Sequence, residues 1–138
     1  MGMDESQLQR IEVAIGVGCQ HGASLTTLEQ AIDAVLSRLG AVEVGCLASH
    51  ERKTDEPALL ELARLRGWPL RFYPSETLAG VVVPTPSVRA ASAVGTPSVA
   101  EAAARLAAEG GELLVAKRIH HGEDGKAVTV AVARRTQR

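Results

Sequence analysis

Aromatic residues are scarce in this chain, at 2% of its 138 residues. The three that occur are Trp68, Phe72 and Tyr73, all within one short stretch. Because 46% of the residues are nevertheless hydrophobic, the core is expected to be aliphatic. The length corresponds to about one domain. We expect residues 1–10 to form a flexible N-terminal tail and residues 11–138 to form a single domain.

Neither sign of charge dominates, since 15 basic residues face 16 acidic ones. Such a balance creates no overall field that attracts nucleic acid or a membrane surface, so neither is expected as a partner. No run approaches the roughly 20 apolar residues of a membrane-spanning helix. Residues 1–9 are polar, unlike a secretory signal. The expected location is the cytoplasm, where Cys19 and Cys46 would stay reduced.

The sequence contains no paired metal-ligand motif such as Cys-x-x-Cys or His-x-x-x-His. The adjacent His120 and His121 would point to opposite faces of a strand, so they cannot chelate one ion together. No metal and no other cofactor are therefore expected. Cys46 falls within a predicted strand and is interpreted as a small buried hydrophobic residue.

Patterns typical of strands and helices alternate along the chain. Apolar runs predict strands at 11–17, 42–48 and 69–73, and residues 113–119 and 127–133 predict a closing hairpin. Helical spacing predicts helices at 28–39 and 59–65, a short helical turn at 77–80, and an Ala-rich helix ending at Glu109. This order predicts an α/β fold with three α/β/α layers. Its sheet would have about five strands, mostly parallel, with a C-terminal antiparallel hairpin.

In open parallel sheets, ligands bind at the carboxyl ends of the strands. The first predicted strand runs into a glycine turn, and its ligand-binding candidates are Gly16, Gly18, Cys19 and Gly22. Glycines let the backbone approach a ligand and point N–H groups at it, so the turn suits an anion. The spacing G-x-G-x-x-x-G differs from the dinucleotide fingerprint, and a plain strand-to-helix turn is an equal alternative.

A polar segment follows the second predicted strand, and its ligand-binding candidates are Ser49, Lys53, Asp55 and Glu56. Lys53 suits a carboxylate ligand. His50 and Glu51 are the candidates for a catalytic base. For Asp55 and Glu56, helix capping is favoured over chemistry, with Asp55 as the cap ahead of Pro57.

Two further segments are expected at the same edge of the sheet, and their ligand-binding candidates are Pro84, Thr85, Ser87, Gly95, Ser98 and Glu101. Hydroxyl groups and free amides at helix starts can bind carboxylates. Ser98 with Glu101, like Thr26 with Glu29, also has the spacing of a capping box, which is the stronger interpretation for Ser98.

Together these segments resemble the family formed by CobE and the C-terminal domain of CbiG. The resemblance spans about Ile11 to Arg134 and is carried by short motifs in a specific order. These are Gly16-Val17-Gly18-Cys19, residues 47–49, 53–63, 83–87, 94–103, 113–117 and 128–134. The chain looks like a stand-alone CobE, because it is too short to include the N-terminal portion of CbiG.

The resemblance implies a cobalamin biosynthesis protein that binds a precorrin-type tetrapyrrole, a flat ring edged with acetate and propionate groups. It leaves two alternatives open. One is an enzyme of the same pathway, such as a hydrolase that opens a cobalt-precorrin lactone and releases acetaldehyde. The other is an accessory subunit of other cobalamin-pathway enzymes. The glycine-turn amides would serve as donors to these carboxylates, together with Lys53, Arg52, Ser87 and Ser98, and the amides would hold most of the ligand at the turn itself.

Overall fold

The computed structural model describes residues 11–81 and 98–135. The predicted tail and the candidates Pro84, Thr85, Ser87 and Gly95 lie outside these ranges. The strands are β1 (Ile11–Cys19), β2 (Val42–His50), β3 (Leu70–Tyr73), β4 (Leu113–His121) and β5 (Ala127–Arg134). The helices are α1 (Leu25–Leu36), α2 (Pro57–Arg66), α3 (Ser75–Ala79) and α4 (Val99–Ala107), and a 3-10 turn spans Glu51–Lys53.

The five strands form one sheet in the order β3-β2-β1-β5-β4. β2 is parallel to both β1 and β3, whereas β5 is antiparallel to β1 and β4. Four strands therefore point the same way and β5 alone is reversed. The prediction of a mostly parallel sheet with a C-terminal antiparallel hairpin is confirmed. Within the described ranges, no helix is long and apolar enough to cross a membrane.

The two faces of the sheet carry side chains of different size. Val13, Ile15 and Val17 of β1 pack with Leu and Ile residues of α1 and α2, while Ala14 packs against the alanines of α4. Strand β5 repeats this pattern with valines on one face and alanines on the other. Successive strand residues point to opposite faces of the sheet. The alternation of large and small residues therefore gives one face a layer of large side chains and the other, which we call the thin face, a layer of alanines.

Gly16 allows helix α4 to lie directly on the thin face of the sheet. A Cβ at this position would overlap the carbonyl oxygen of Ala100 and would lie 2.7 Å from the amide nitrogen of Ala104. Glycine is thus required because two backbones approach closely. In the described structure, the close packing of β1 against α4 explains why residue 16 is a glycine.

The helix starts differ in detail from the predicted caps. Helix α1 is capped by Ser24, whose Oγ accepts a hydrogen bond from Thr27 N at 3.1 Å, so the predicted Thr26–Glu29 box is wrong. The Ser24 amide donates to Asp124 of the distant hairpin, and this contact fixes where the chain turns into the helix. Sequence spacing contains no sign of a partner 100 residues away.

At the start of α2, Glu56 occupies the N-cap position ahead of Pro57 and its side chain makes no capping hydrogen bond. The predicted Asp55 cap is therefore wrong, because the extended residue before Pro57 is Glu56. The Ser98 cap of α4 is confirmed, since Ser98 Oγ accepts from Glu101 N at 3.4 Å. The Glu101 carboxylate also accepts from Lys117 N of β4 at 2.9 Å.

Replacing Gly16 with alanine should force α4 away from the sheet. We expect Gly16→Ala to lower the free energy of unfolding by about 1–3 kcal/mol, the usual cost of overpacking. Urea denaturation followed by circular dichroism measures this change. Gly18→Ala is the matched control, since its Cβ would meet only Val99 side-chain atoms at 4.0 Å. Equal losses in both variants would contradict the packing role of Gly16.

Candidate functional site

The carboxyl ends of the parallel strands meet the tip of the C-terminal hairpin. Gln20 N donates to Ala127 O at 3.1 Å, and Ala127 N donates to Gln20 Oε1 at 2.7 Å. The hairpin turn thereby lies beside the glycine turn, at the same edge as residues 50–56. Sequence pattern alone does not place the hairpin there, because the contact joins residues 107 apart.

Several amides in and directly after the glycine turn are already bound to acceptors of the chain itself. Gly22, in the left-handed region with φ +85°, donates its N–H to Glu56 Oε2 at 2.8 Å. Ser24 N donates to Asp124 Oδ2 at 2.8 Å, and Ala23 N donates to Gln20 O at 3.2 Å. The turn attracts carboxylates, as expected from its backbone, but Glu56 and Asp124 supply them. These amides are therefore not open to a ligand in this arrangement.

Glu56 is the buried anion of the site, with 2% of its surface exposed. Its Oε1 lies 3.1 Å from His21 Nδ1 and 3.8 Å from Lys53 Nζ, in addition to the bond from Gly22. Burial raises the pKa of this carboxyl, but the Gly22 amide, His21 and Lys53 together outweigh burial and lower the pKa below its usual value. Glu56 is thus held ionised, and it joins β1 to the start of α2.

Two lysines flank the glycine turn. The Lys53 side chain is 21% exposed and its ammonium is oriented by Glu56. On the hairpin side, Lys126 Cε would lie 3.8 Å from a Cβ placed on Gly22. Lys126 is not among the candidates chosen from the sequence. The sequence feature that could have indicated it is its position directly after the predicted hairpin turn. Both lysines therefore lie close to the part of the turn where the Gly22 and Ser24 amides are occupied.

Ser49 and Cys19 have structural roles in the described molecule. Ser49 is buried, and its Oγ donates to Val17 O at 2.6 Å, which ties the ends of β1 and β2 together. Cys19 is 9% exposed, and burial raises the pKa of its thiol although Lys53 opposes this. A thiol with a raised pKa is protonated at neutral pH and is a poor nucleophile. Cys46 is 1% exposed, which confirms its prediction as a buried hydrophobic residue.

His50 is engaged at both ring nitrogens. Nδ1 accepts a hydrogen bond from Arg52 N at 2.9 Å, and Nε2 lies 2.6 Å from Ser75 Oγ. Since a backbone N–H can only donate, Nδ1 carries the lone pair and the neutral ring carries its proton on Nε2. Nε2 then donates to Ser75. Neither nitrogen is free to take a proton from a substrate until one of these bonds breaks.

Ser75 is a site residue that the sequence reasoning missed. It begins α3 directly after β3, so its position at the carboxyl end of the third parallel strand was the available signal. The other catalytic candidate, Glu51, is exposed in the 3-10 turn. The hydroxyl and the imidazole thus form a pair that the sequence separates by 25 residues.

The remaining candidates are spread over the same end of the molecule. Asp55 is exposed, Gly18 lies under Val99 at the start of α4, and Glu101 is buried between α4 and β4. Their assignment to ligand binding stays a prediction, as does that of Gly16, Gly22 and Ser49. In the part of the chain that the structure describes, no three His, Cys, Asp or Glu residues are grouped so that they could hold a metal ion.

The chain is similar to three proteins whose names refer to cobalamin biosynthesis or to a cobalt-precorrin. The chain is 34% identical over 96 residues to the cobalt-precorrin-5A hydrolase of Priestia megaterium, a match that covers 68% of this chain and 26% of that protein. The chain therefore spans about a quarter of the length of this curated relative. The rest of the relative, with any residues there that contribute to hydrolysis, lies outside the matched region.

Two solved structures match over nearly their whole length. CobE, a protein from the cobalamin (vitamin B12) biosynthetic pathway, has a TM-score of 0.74 at 34% identity, with 93% of this chain and 94% of CobE covered. The cobalamin biosynthesis protein ChiG from Agrobacterium tumefaciens has a TM-score of 0.68 at 34% identity, with 91% and 99% covered.

The family model described as the cobalamin synthesis G C-terminus matches residues 13–133. This range includes all four described helices and all five strands, except for the first two residues of β1 and the last residue of β5. The resemblance found in the sequence motifs is thus confirmed. The chain belongs to the cobalamin synthesis G C-terminus family, a family of cobalamin biosynthesis proteins.

Proposed function

We propose that this chain binds a carboxylate-bearing tetrapyrrole intermediate of the cobalamin pathway at the carboxyl edge of its sheet. The observation that carries the proposal is the position of the Lys53 ammonium beside the glycine turn. Its Nζ lies 3.8 Å from Oε1 of Glu56, and the same carboxylate accepts from the Gly22 amide. Membership of the family and the precorrin named in the curated relative support the choice of ligand.

Lys53 can hold a ligand carboxylate without giving up Glu56. An ammonium group has three donors, and the distance to Glu56 leaves it free to turn toward a second anion. Its 21% exposure places it between solvent and the protein interior, where charge pairing is stronger than in bulk water. Lys126 and Arg52 add positive charge on either side of the same edge.

Side-chain donors suit a ligand whose carboxylates lie on flexible arms. Acetate and propionate groups around a macrocycle project in several directions, and lysine side chains can follow them, whereas the Gly22 and Ser24 amides are fixed and occupied by Glu56 and Asp124. The carboxylates of the chain itself therefore set the shape of the turn, and the cations contact the ligand.

Lys53→Gln should weaken binding of a stable, coloured, ring-contracted corrin acid. Loss of one charged hydrogen bond, about 1.5–3 kcal/mol, corresponds to at least a tenfold higher Kd. Spectrophotometric titration measures the Kd, and desalting shows whether colour elutes with the protein. Arg64→Gln is the control, because Arg64 is exposed on α2 and paired with Glu61. A colourless wild-type fraction would refute binding, and equal Kd values for Lys53→Gln and wild type would refute this site.

Ionised Glu56 should stabilise the fold at neutral pH. Its pKa is lowered in the folded state relative to about 4.3 in the unfolded chain, so its contribution is lost as the pH falls through the lowered pKa. We expect Glu56→Gln to cost about 1–3 kcal/mol at pH 7 and less near pH 3, because the stabilisation by the ionised carboxyl decreases once the pH falls below the pKa of about 4.3 in the unfolded chain. Urea denaturation at both pH values measures this.

The exposed Glu123→Gln of the hairpin turn is the control for Glu56→Gln, since it should leave the free energy of unfolding nearly unchanged at both pH values. If Glu56→Gln is as stable as wild type at pH 7, Glu56 does not organise the site.

A second candidate function is hydrolysis of a lactone on the same ligand, favoured by the His50–Ser75 pair and by the name of the curated relative. For His50 to activate Ser75 or water, Nε2 must lose its proton, which requires Nδ1 to give up the Arg52 amide. His50→Ala and Ser75→Ala should then reduce release of a two-carbon product from a lactone-bearing intermediate by at least 100-fold. Unchanged release in both variants and in Glu51→Gln would exclude this edge as the catalytic centre.

A further inference from the structure

A basic groove runs along the seam between α1 and the edge strand β4. One cavity of about 390 Å³ lies between the end of α1 and β4, and an adjoining one of about 230 Å³ lies further along the seam. Arg38 and Arg118 line both cavities, so the two are parts of one groove. The combined space is in the range that small organic ligands occupy.

The basic side chains of this groove lack ion-pair partners. Arg38, Lys117 and Arg118 form no salt bridge within residues 11–81 and 98–135. Elsewhere in the described chain, Arg64 pairs with Glu61 and Arg66 with Asp33. Three cations, one just after α1 and two on β4, therefore line one groove, and none of them forms a salt bridge within the described ranges; the nearby Glu101 carboxylate accepts from the backbone amide of Lys117. Like charges held together in this way attract an anion from solution.

Apolar side chains complete the wall of the groove. Leu39, Leu114 and Val115 line the larger cavity, and Ile119 at the smaller one has 57% of its surface exposed. An inorganic anion would leave these side chains uncovered. The combination of basic and apolar groups matches an organic molecule with an apolar body and at least two carboxylates, one for each arginine.

The edge of β4 is poorly suited to accept another strand. The Lys117 amide already donates to Glu101, and the pairing of β4 with β5 shifts register between Leu113 and Arg118. Interrupted register and edge cations are features that discourage strand addition. The groove therefore fits a compact ligand better than an extended peptide.

We propose that the α1–β4 groove, lined by Arg38, Lys117, Arg118, Leu39, Leu114 and Val115, is a binding site for a small organic polycarboxylate with an apolar body. It is separate from the site around Lys53. Helix α1 begins at the glycine turn, and its 12 residues extend about 18 Å before Arg38. The proposal does not depend on what binds at the carboxyl edge.

The test uses benzene-1,3,5-tricarboxylate as probe and its neutral trimethyl ester as the paired compound. Methyl NMR signals of Leu39, Leu114 and Val115 should shift on titration with the tricarboxylate and stay unchanged with the ester. The double variant Arg38→Gln/Arg118→Gln should raise the Kd at least tenfold, and raising the salt concentration should do the same. Arg64→Gln, an exposed arginine on α2, is the control and should keep the wild-type Kd.

Circular dichroism checks that the double variant is folded. If the glutamine variant is unstable, Arg38→Lys/Arg118→Lys takes its place. This variant keeps the charge, so it should lose less affinity than the tenfold expected for the glutamine variant. Absence of methyl shifts at millimolar probe, equal shifts with the ester, or loss of binding in Lys53→Gln rather than in the double variant would each overturn the proposal. The last outcome would assign the probe to the carboxyl edge, and failure of corrin binding there would leave this groove unaffected.

Discussion

The buried carboxylate of Glu56 is the interaction on which the carboxyl edge of the sheet depends. It accepts a hydrogen bond from the Gly22 amide and lies within reach of His21 and Lys53. Burial of a charge is costly unless it is fully paired, and here the pairing is sufficient to lower the pKa of the carboxyl. One side chain thereby sets the conformation of the glycine turn, the start of α2 and the direction of the Lys53 ammonium.

This arrangement changes how the glycine turn is understood. Its backbone has the anion-binding character that its glycines predict, yet Glu56 and Asp124 already occupy the Gly22 and Ser24 amides. In the proposed function, an external carboxylate is therefore recognised by side chains, chiefly Lys53 and Lys126. Ser49 likewise has a structural contact, because its hydroxyl donates to Val17 O and links the ends of β1 and β2. Several polar side chains at this edge therefore hold the strands and turns of the edge in place.

The thin face of the sheet shows the same dependence on backbone contact. Alanines of α4 and the absence of a side chain at Gly16 let helix and strand backbones touch. Ser98 at the start of α4 and Glu101 within it are placed by this contact, and Glu101 in turn reaches the β4 amide of Lys117. A glycine chosen from the sequence as a ligand contact therefore has an architectural explanation in the described structure.

The sequence by itself determined the order and type of the elements, the alternating large and small faces of β1 and β5, and the family, because local periodicity and short motifs carry that information. It also predicted that Lys53 and Glu56 follow the second strand at the carboxyl edge of the sheet, which is where the structure has them. Only the tertiary structure decided that Glu56 bonds Gly22, that Asp124 fixes the start of α1, and that Ser75 meets His50. These contacts join residues 25 to 100 positions apart. Hydrogen-bond partners at such separations depend on how strands pair and helices pack, and no local pattern encodes them.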